Sequence, residues 1–353
     1  MENIYRRDKR PESQGNFIVG FEVLFLGGII MYKTETLYHY CSVNTFLAII
    51  QNKCLRLSDL NRTNDYMEKR WATKLIGGVL KEELENFNIK LNLTEDYWYE
   101  DGVNNHLQYY NKEIKRVFYD NRPILITCFS KEKDSLSQWR AYGQDGEGIS
   151  IGFNYKQIKD LKNNCKNILV ERVMYNENKQ KEKLTKLVQA AIIYMQKMFE
   201  HDSVRILNDF DEYFTEKFDI FCKVLIGYLE KISCVIKNPA FSEEKEVRII
   251  YDPQLYNHKV IGDMTLEESE KYFKQEVEIK MYKISPIKYN FKNNHLVASC
   301  DIDFTKLIEQ QVINEIIIGP KSKLTEDDIY YFLLSNGYDA NSIKISRTEA
   351  TYR

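Results

Sequence analysis

Several things are scarce in this chain, and each scarcity removes a class of function. Its 353 residues hold seven cysteines, at positions 41, 54, 128, 165, 222, 234 and 300. The count is odd and no Cys-x-x-Cys pair occurs, which fits reduced cytoplasmic thiols better than a disulfide frame or a zinc site. Five scattered histidines supply no metal-ligand spacing. The net charge is only -2, so no overall basic field argues for nucleic acid. No phosphate-loop or dinucleotide fingerprint occurs: Gly143, Gly146 and Gly148 have the wrong spacing, although they permit close approach of backbone to a ligand. Repeats and low-complexity linkers are absent. The longest apolar run, Phe17 to Met31, is broken by Glu22 and is shorter than the ~20 residues that cross a bilayer, so no stable membrane span is expected.

What is present is a chain able to bury a core, 43% hydrophobic and 29% charged. Residues 1–31 read as an apolar extension after the basic cluster Arg6, Arg7, Lys9 and Arg10. The reading preferred is a start placed too early, with Met31 the real one; a weak membrane anchor is the alternative. The remainder, 32–353, reads as a single α+β domain. Leu37–Tyr40 is a short strand, and Ser42 caps a helix with apolar Val43, Phe46, Leu47 and Ile50 at helical spacing. Strand character follows at 55–57, 124–130, 149–153, 168–175, 246–251, 277–287, 315–318 and 343–345. Helix is expected over 66–87, in part of 88–121, and after Thr325, where Thr325-x-x-Asp328 is a capping box. Residues 177–236 carry two apolar helical stripes, one through Leu184, Leu187, Val188, Ala191, Met195, Met198 and Phe199, the other through Phe214, Phe218, Phe221, Leu225, Leu229 and Ile232. Two such faces predict a helical-hairpin insertion. The expected core is a mixed, split sheet of about eight short strands with flanking helices.

Six motifs could carry chemistry, most with a structural explanation beside them. His39, between Tyr38 and Tyr40, is by spacing a satisfied core histidine, or a group that meets a ligand hydroxyl or phosphate. Asp65 and Glu68 after Asn64 serve as helix caps, or as cation ligands. Ser130, Ser135, Trp139 and Tyr142 end and follow the most apolar strand; they line a pocket wall, or form a loop pinned by a buried tryptophan. Glu244, Glu246 and Arg248 alternate onto one face if a strand begins there. That arrangement suits ribose binding and positive charge developing on a sugar carbon, or a charged edge strand that resists aggregation. Gly319-Pro320-Lys321-Ser322-Lys323 is read as a turn, and Glu243-x-Lys245 faintly echoes restriction-type nucleases.

Taken in order, the motifs resemble domain-of-unknown-function family 2971, a bacterial family often found near defence genes. The matching pieces are Leu-Tyr-His-Tyr at 37–40, Leu57-Ser58-Asp59, Asn64-Asp65, Cys128-Phe129-Ser130, Ser137-Gln138-Trp139 with Tyr142-Gly143, Gly148 to Phe153, Phe241 to Arg248, and Ile316 to Pro320. A more distant likeness is to ADP-ribosyltransferases. It implies NAD as substrate, with His39 on the nicotinamide-side ribose. Ser130 and an aromatic such as Tyr142 would border the nicotinamide, and Tyr40, Trp139 and Arg248 are further expected cofactor-binding residues. Glu246 would be the catalytic carboxylate and Glu244 would orient the acceptor, a nucleic acid or protein. The sequence departs from that pattern in having Tyr40-Cys41-Ser42 after the histidine and Cys-Phe-Ser in place of Ser-Thr-Ser. The expectation is a cytoplasmic ADP-ribosyltransferase-like enzyme of phage defence or a toxin. The alternatives are a non-catalytic nucleotide-binding sensor and a metal-dependent nuclease using Asp65, Glu68 and Glu243.

Overall fold

The computed structural model describes residues 35–62, 68–86, 123–164, 167–198, 225, 229–252, 277–279, 282–292 and 294–352. The apolar extension 1–31, the segment 88–121 and Asn64-Asp65 lie outside the described residues, as do Phe199, Phe214, Phe218 and Phe221 of the expected hairpin. Helices α1 Val43–Asn52, α2 Glu68–Asn86, α3 Leu136–Ala141, α4 Tyr155–Asn164, α5 Glu177–Met198 and α6 Glu326–Ser335 accompany twelve described strands. The strands are β1 Thr36–Cys41, β2 Cys54–Asp59, β3 Leu125–Ser130, β4 Ile149–Asn154, β5 Ile168–Arg172, β6 Glu246–Tyr251, β7 Val277–Ile279, β8 Tyr282–Ile284, β9 Lys288–Lys292, β10 His295–Asp303, β11 Ile313–Ile318 and β12 Lys344–Arg347. The fold is α+β, with more strands than the eight expected. The single strand expected over 277–287 is two short strands, β7 and β8, paired antiparallel, and β8 ends at Ile284, before Pro286, which has no N–H to give a ladder. The β9–β10 hairpin that follows was missed altogether.

All twelve strands join one mixed sheet, and β3 is its branch point. β6 runs antiparallel along the full length of β3, from Leu125↔Tyr251 to Ser130↔Glu246, and so fills one edge. The other edge is shared. β1 meets it at Tyr38↔Ser130, while β2 meets it at Ser58↔Ile126 and Asp59↔Leu125. β1 and β2 therefore diverge from the two ends of one strand, and α1, which links them, lies across the opening. From β1 the sheet continues through β4 and β11 to β12, and from β2 it continues to β10.

Two apolar layers enclose the sheet. On one face Leu37, Phe46, Ile50, Leu57, Phe129, Ile151, Phe153, Val247, Ile249 and Ile316 make the main core. On the other, Ile126 and Ile250 pack beneath a helical lobe in which Ala72, Ile76 and Leu80 of α2 meet Leu184, Val188 and Ala191 of α5. Leu225, Leu229 and Ile232 of the second expected stripe join that same layer. The capping box on α6 is complete: Thr325 Oγ1 accepts from the Asp328 N–H at 3.1 Å, and Asp328 Oδ2 accepts from the Thr325 N–H at 2.8 Å. Among the described residues no helix is long and apolar enough to cross a membrane.

Candidate active site

The divergence of β1 and β2 opens a cleft of about 1040 Å³. Tyr38, His39 and Tyr40 of β1 line it, with Ile126 to Ser130 of β3, the outer face of α1 (Asn44, Thr45, Ala48, Asn52), and Lys237, Glu244, Glu246 and Arg248. Register places Tyr38, Ser130 and Glu246 on one face of the sheet and His39 on the other. His39 and the carboxylates line the same cleft because the strands part between them.

His39 is held at the open edge of β3, its Nδ1 2.9 Å from the Cys128 carbonyl oxygen. A carbonyl only accepts, so Nδ1 carries the proton and Nε2 is the acceptor of the neutral ring. Burial lowers the His39 pKa below its ordinary value, against the smaller opposing effect of the Cys128 bond, and the ring is neutral near pH 7. A neutral imidazole with Nε2 as acceptor suits a ligand hydroxyl better than a phosphate.

The carboxylates reach the cleft by a route that alternation did not foresee. The strand begins only at Glu246, and Glu244 ends a 3-10 helix, Pro239–Glu244. Between them Lys245 takes a left-handed conformation, φ 43°, and its side chain turns to solvent beside Glu132. Both glutamates are buried, and each is engaged. Arg248 Nε and Nη2 grip Glu246 Oε1 and Oε2 at 2.8 and 2.9 Å. Lys237 Nζ donates to Glu244 Oε2 at 2.6 Å and lies 3.4 Å from Glu246 Oε2. The Tyr142 hydroxyl donates to Glu244 Oε1 at 2.9 Å. Burial pushes the Glu246 carboxyl upward, but Arg248, Lys237 and the Cys128 thiol outweigh it and hold the pKa at about 2. Burial and the neighbouring Glu244 raise the Tyr142 phenol above its ordinary range.

The other expected contacts have structural duties. Ser130 Oγ donates to the Glu244 carbonyl at 2.7 Å and accepts from the Glu132 N–H at 3.0 Å, pinning the turn before β6. The Tyr40 hydroxyl donates to the Glu132 carbonyl at 2.8 Å and accepts from the Ser135 N–H at 3.1 Å. Trp139 is fully buried edge-on against Tyr40, its indole N–H on Asp134, and is not part of the cleft wall. Arg248 lines the cleft, but two of its nitrogens are committed to Glu246 and Nη1 donates to the Cys234 carbonyl at 2.7 Å.

The glycines expected to admit a ligand serve packing instead. A Cβ on Gly148 would lie 2.1 Å from the Cys41 carbonyl oxygen, and one on Gly143 would lie 2.6 Å from the Trp139 ring. Of the three nuclease acids, Glu243 is exposed and outside the cleft, and the Asp65 and Glu68 side chains lie outside the described residues. Among the described residues no group of three His, Cys, Asp or Glu could hold a metal ion.

Sequence reasoning missed Lys237 and Tyr175, whose hydroxyl accepts from the Glu246 N–H at 3.1 Å. The available signal was a lysine closing the apolar run Cys234-Val235-Ile236 just before Asn238-Pro239, a place where a charge needs a buried partner. The cleft floor thus combines two carboxylates with two cations.

No curated protein and no solved structure matches the chain. Residues 138–249, which supply Gln138, Tyr142, Lys237, Glu244, Glu246 and Arg248 to the cleft, match the model of a family described as a protein of unknown function (DUF2971), so this segment is similar to the family that the motifs resemble.

Proposed function

We propose that the protein is an ADP-ribosyltransferase-like enzyme that transfers ADP-ribose from NAD to a macromolecular acceptor, acting in the cytoplasm in phage defence or as a toxin. The observation that carries this reading is that His39 and the Glu244/Glu246 pair, far apart in sequence, line one cleft at the parting of β1 and β2. In the proposed reaction the bond between nicotinamide and the ribose C1′ breaks, and the nicotinamide nitrogen keeps the electron pair. The sugar carbon then bonds to the acceptor's nucleophile, whose proton passes to Glu244 or to water. Glu246, ionised at neutral pH, would stabilise the positive charge developing on the sugar. Nε2 of neutral His39 would accept from a ribose hydroxyl. The cleft volume suits a dinucleotide.

A second reading, a nucleotide-binding sensor without turnover, draws support from the engagement of both carboxylates by Lys237, Arg248 and Tyr142. The two are separated by incubating the protein with labelled NAD and cell extract beside Glu246→Gln. Transfer of label by the wild type and its loss in the variant supports the enzyme. A thermal shift with NAD but no label transfer and no NAD loss, in several extracts, overturns it in favour of the sensor.

A further inference from the structure

Lys237 has no counterpart among the residues that the motifs single out, yet it is a tightly held side chain of the cleft floor. Its segment is fixed from the helical lobe. The Lys237 N–H donates to the Met174 carbonyl at 3.1 Å, and the Lys237 carbonyl accepts from Gln180 Nε2 at 2.8 Å. Gln180, fully buried at the start of α5, accepts in turn from the Trp71 indole of α2 at 3.1 Å. The ammonium lies between the two carboxylates and 4.9 Å from the centre of the Phe241 ring, with its side chain only 4% exposed.

A lysine so fixed does more than fill space. With it, the floor holds two carboxylates and two cations and carries no net charge. Without it, one negative charge is left in a buried setting, where a unit charge acts strongly on a ligand a few ångströms away. This bears on NAD. The oxidised nicotinamide ring is cationic and the reduced ring is neutral, while the rest of the dinucleotide is the same. Resting on the NAD reading above, we propose that Lys237 is a specificity-determining residue: it neutralises the floor, so the cleft does not hold the cationic ring of the resting dinucleotide tightly. The carboxylates are thereby kept for positive charge that develops on the sugar. A floor that gripped the ground-state cation would strengthen substrate binding without an equal gain in the transition state.

The test is calorimetric titration of NAD and of its reduced form into the wild type, Lys237→Met, Lys237→Arg and the pair Lys237→Met/Glu244→Gln. The wild type is expected to bind the two forms within a few-fold of each other. Lys237→Met should shift the ratio of the two dissociation constants about tenfold toward the oxidised form. Lys237→Arg should behave as the wild type. The double variant removes one charge of each sign, so it should return the ratio to the wild-type value and remain folded even where Lys237→Met does not. An unchanged ratio in folded Lys237→Met, or a double variant that keeps a shifted ratio, overturns the proposal and leaves the NAD reading standing. Failure of the wild type to bind either form overturns both.

Discussion

Arg248 is one of the largest fully buried side chains in the protein, and its grip on Glu246 decides what the cleft floor costs. Removing one partner of a buried ion pair leaves the other uncompensated, so Arg248→Met is expected to destabilise the fold by about 3–5 kcal/mol in urea denaturation. Arg248→Met/Glu246→Gln should recover much of that loss. The same pair fixes an acid limb. Glu246 falls from 4.5 to about 2 on folding, so the stability it contributes is complete above pH 4.5 and is lost as pH falls toward 2. That loss amounts to roughly 3 kcal/mol. His39 acts in the same sense at higher pH. Its folded pKa lies below 6.5, so stability declines as pH drops through 6.5 and the unfolded chain takes up a proton that the buried ring resists. Thermal unfolding between pH 8 and pH 5 should lose part of this slope in His39→Gln; an identical slope would remove His39 from the explanation.

At the scale of elements, the strands and helices with clean periodicity were legible in the sequence, and those whose pattern depends on neighbours were not. Helix α1 could be read because Ser42 caps it, with Oγ accepting from the Thr45 N–H at 3.2 Å, and because Phe46, Ile49 and Ile50 fall on one buried face. Strand β3 could be read from its unbroken apolar run. Strand β10 could not, because its first residues, His295 and Leu296, are exposed and its burial becomes regular only where β2 covers it. Glu244 and Glu246 were read as one alternating strand, whereas the left-handed Lys245 divides them into a 3-10 helix and a strand. Nothing in a lysine's identity announces a positive φ. Gly148 shows the same dependence on a neighbour: it is glycine because β4 starts against the Cys41 carbonyl. Gly148→Ala is therefore expected to cost about 1–3 kcal/mol by forcing β1 and β4 apart. At the start of α6, Thr325→Ala should cost only about 1 kcal/mol, the worth of a helix cap. Chemical denaturation of the two variants side by side checks the order.

Over the whole molecule, the cleft exists because three strands compete for two edges. β6 takes one edge of β3 entirely, and β1 and β2 divide the other, so β1 and β2 must part. The members of the site could be named one by one from local motifs, but their meeting could not, since it depends on this branching. Lys237 escaped notice for a related reason: it is carried in by the parallel bridge between Met174 and Ile236, a pairing of residues far apart in sequence. If the cleft is the nucleotide site, closing it from the α1 wall should abolish binding without touching the charged floor. Ala48 is exposed on that wall. Titration of NAD into the wild type and into Ala48→Trp, with the melting temperature of each as a control, is the deciding measurement. Saturable binding by the wild type and at least a tenfold loss in Ala48→Trp at unchanged melting temperature is the predicted result. Absence of binding by the wild type, or equal binding by both, would contradict the assignment of the cleft.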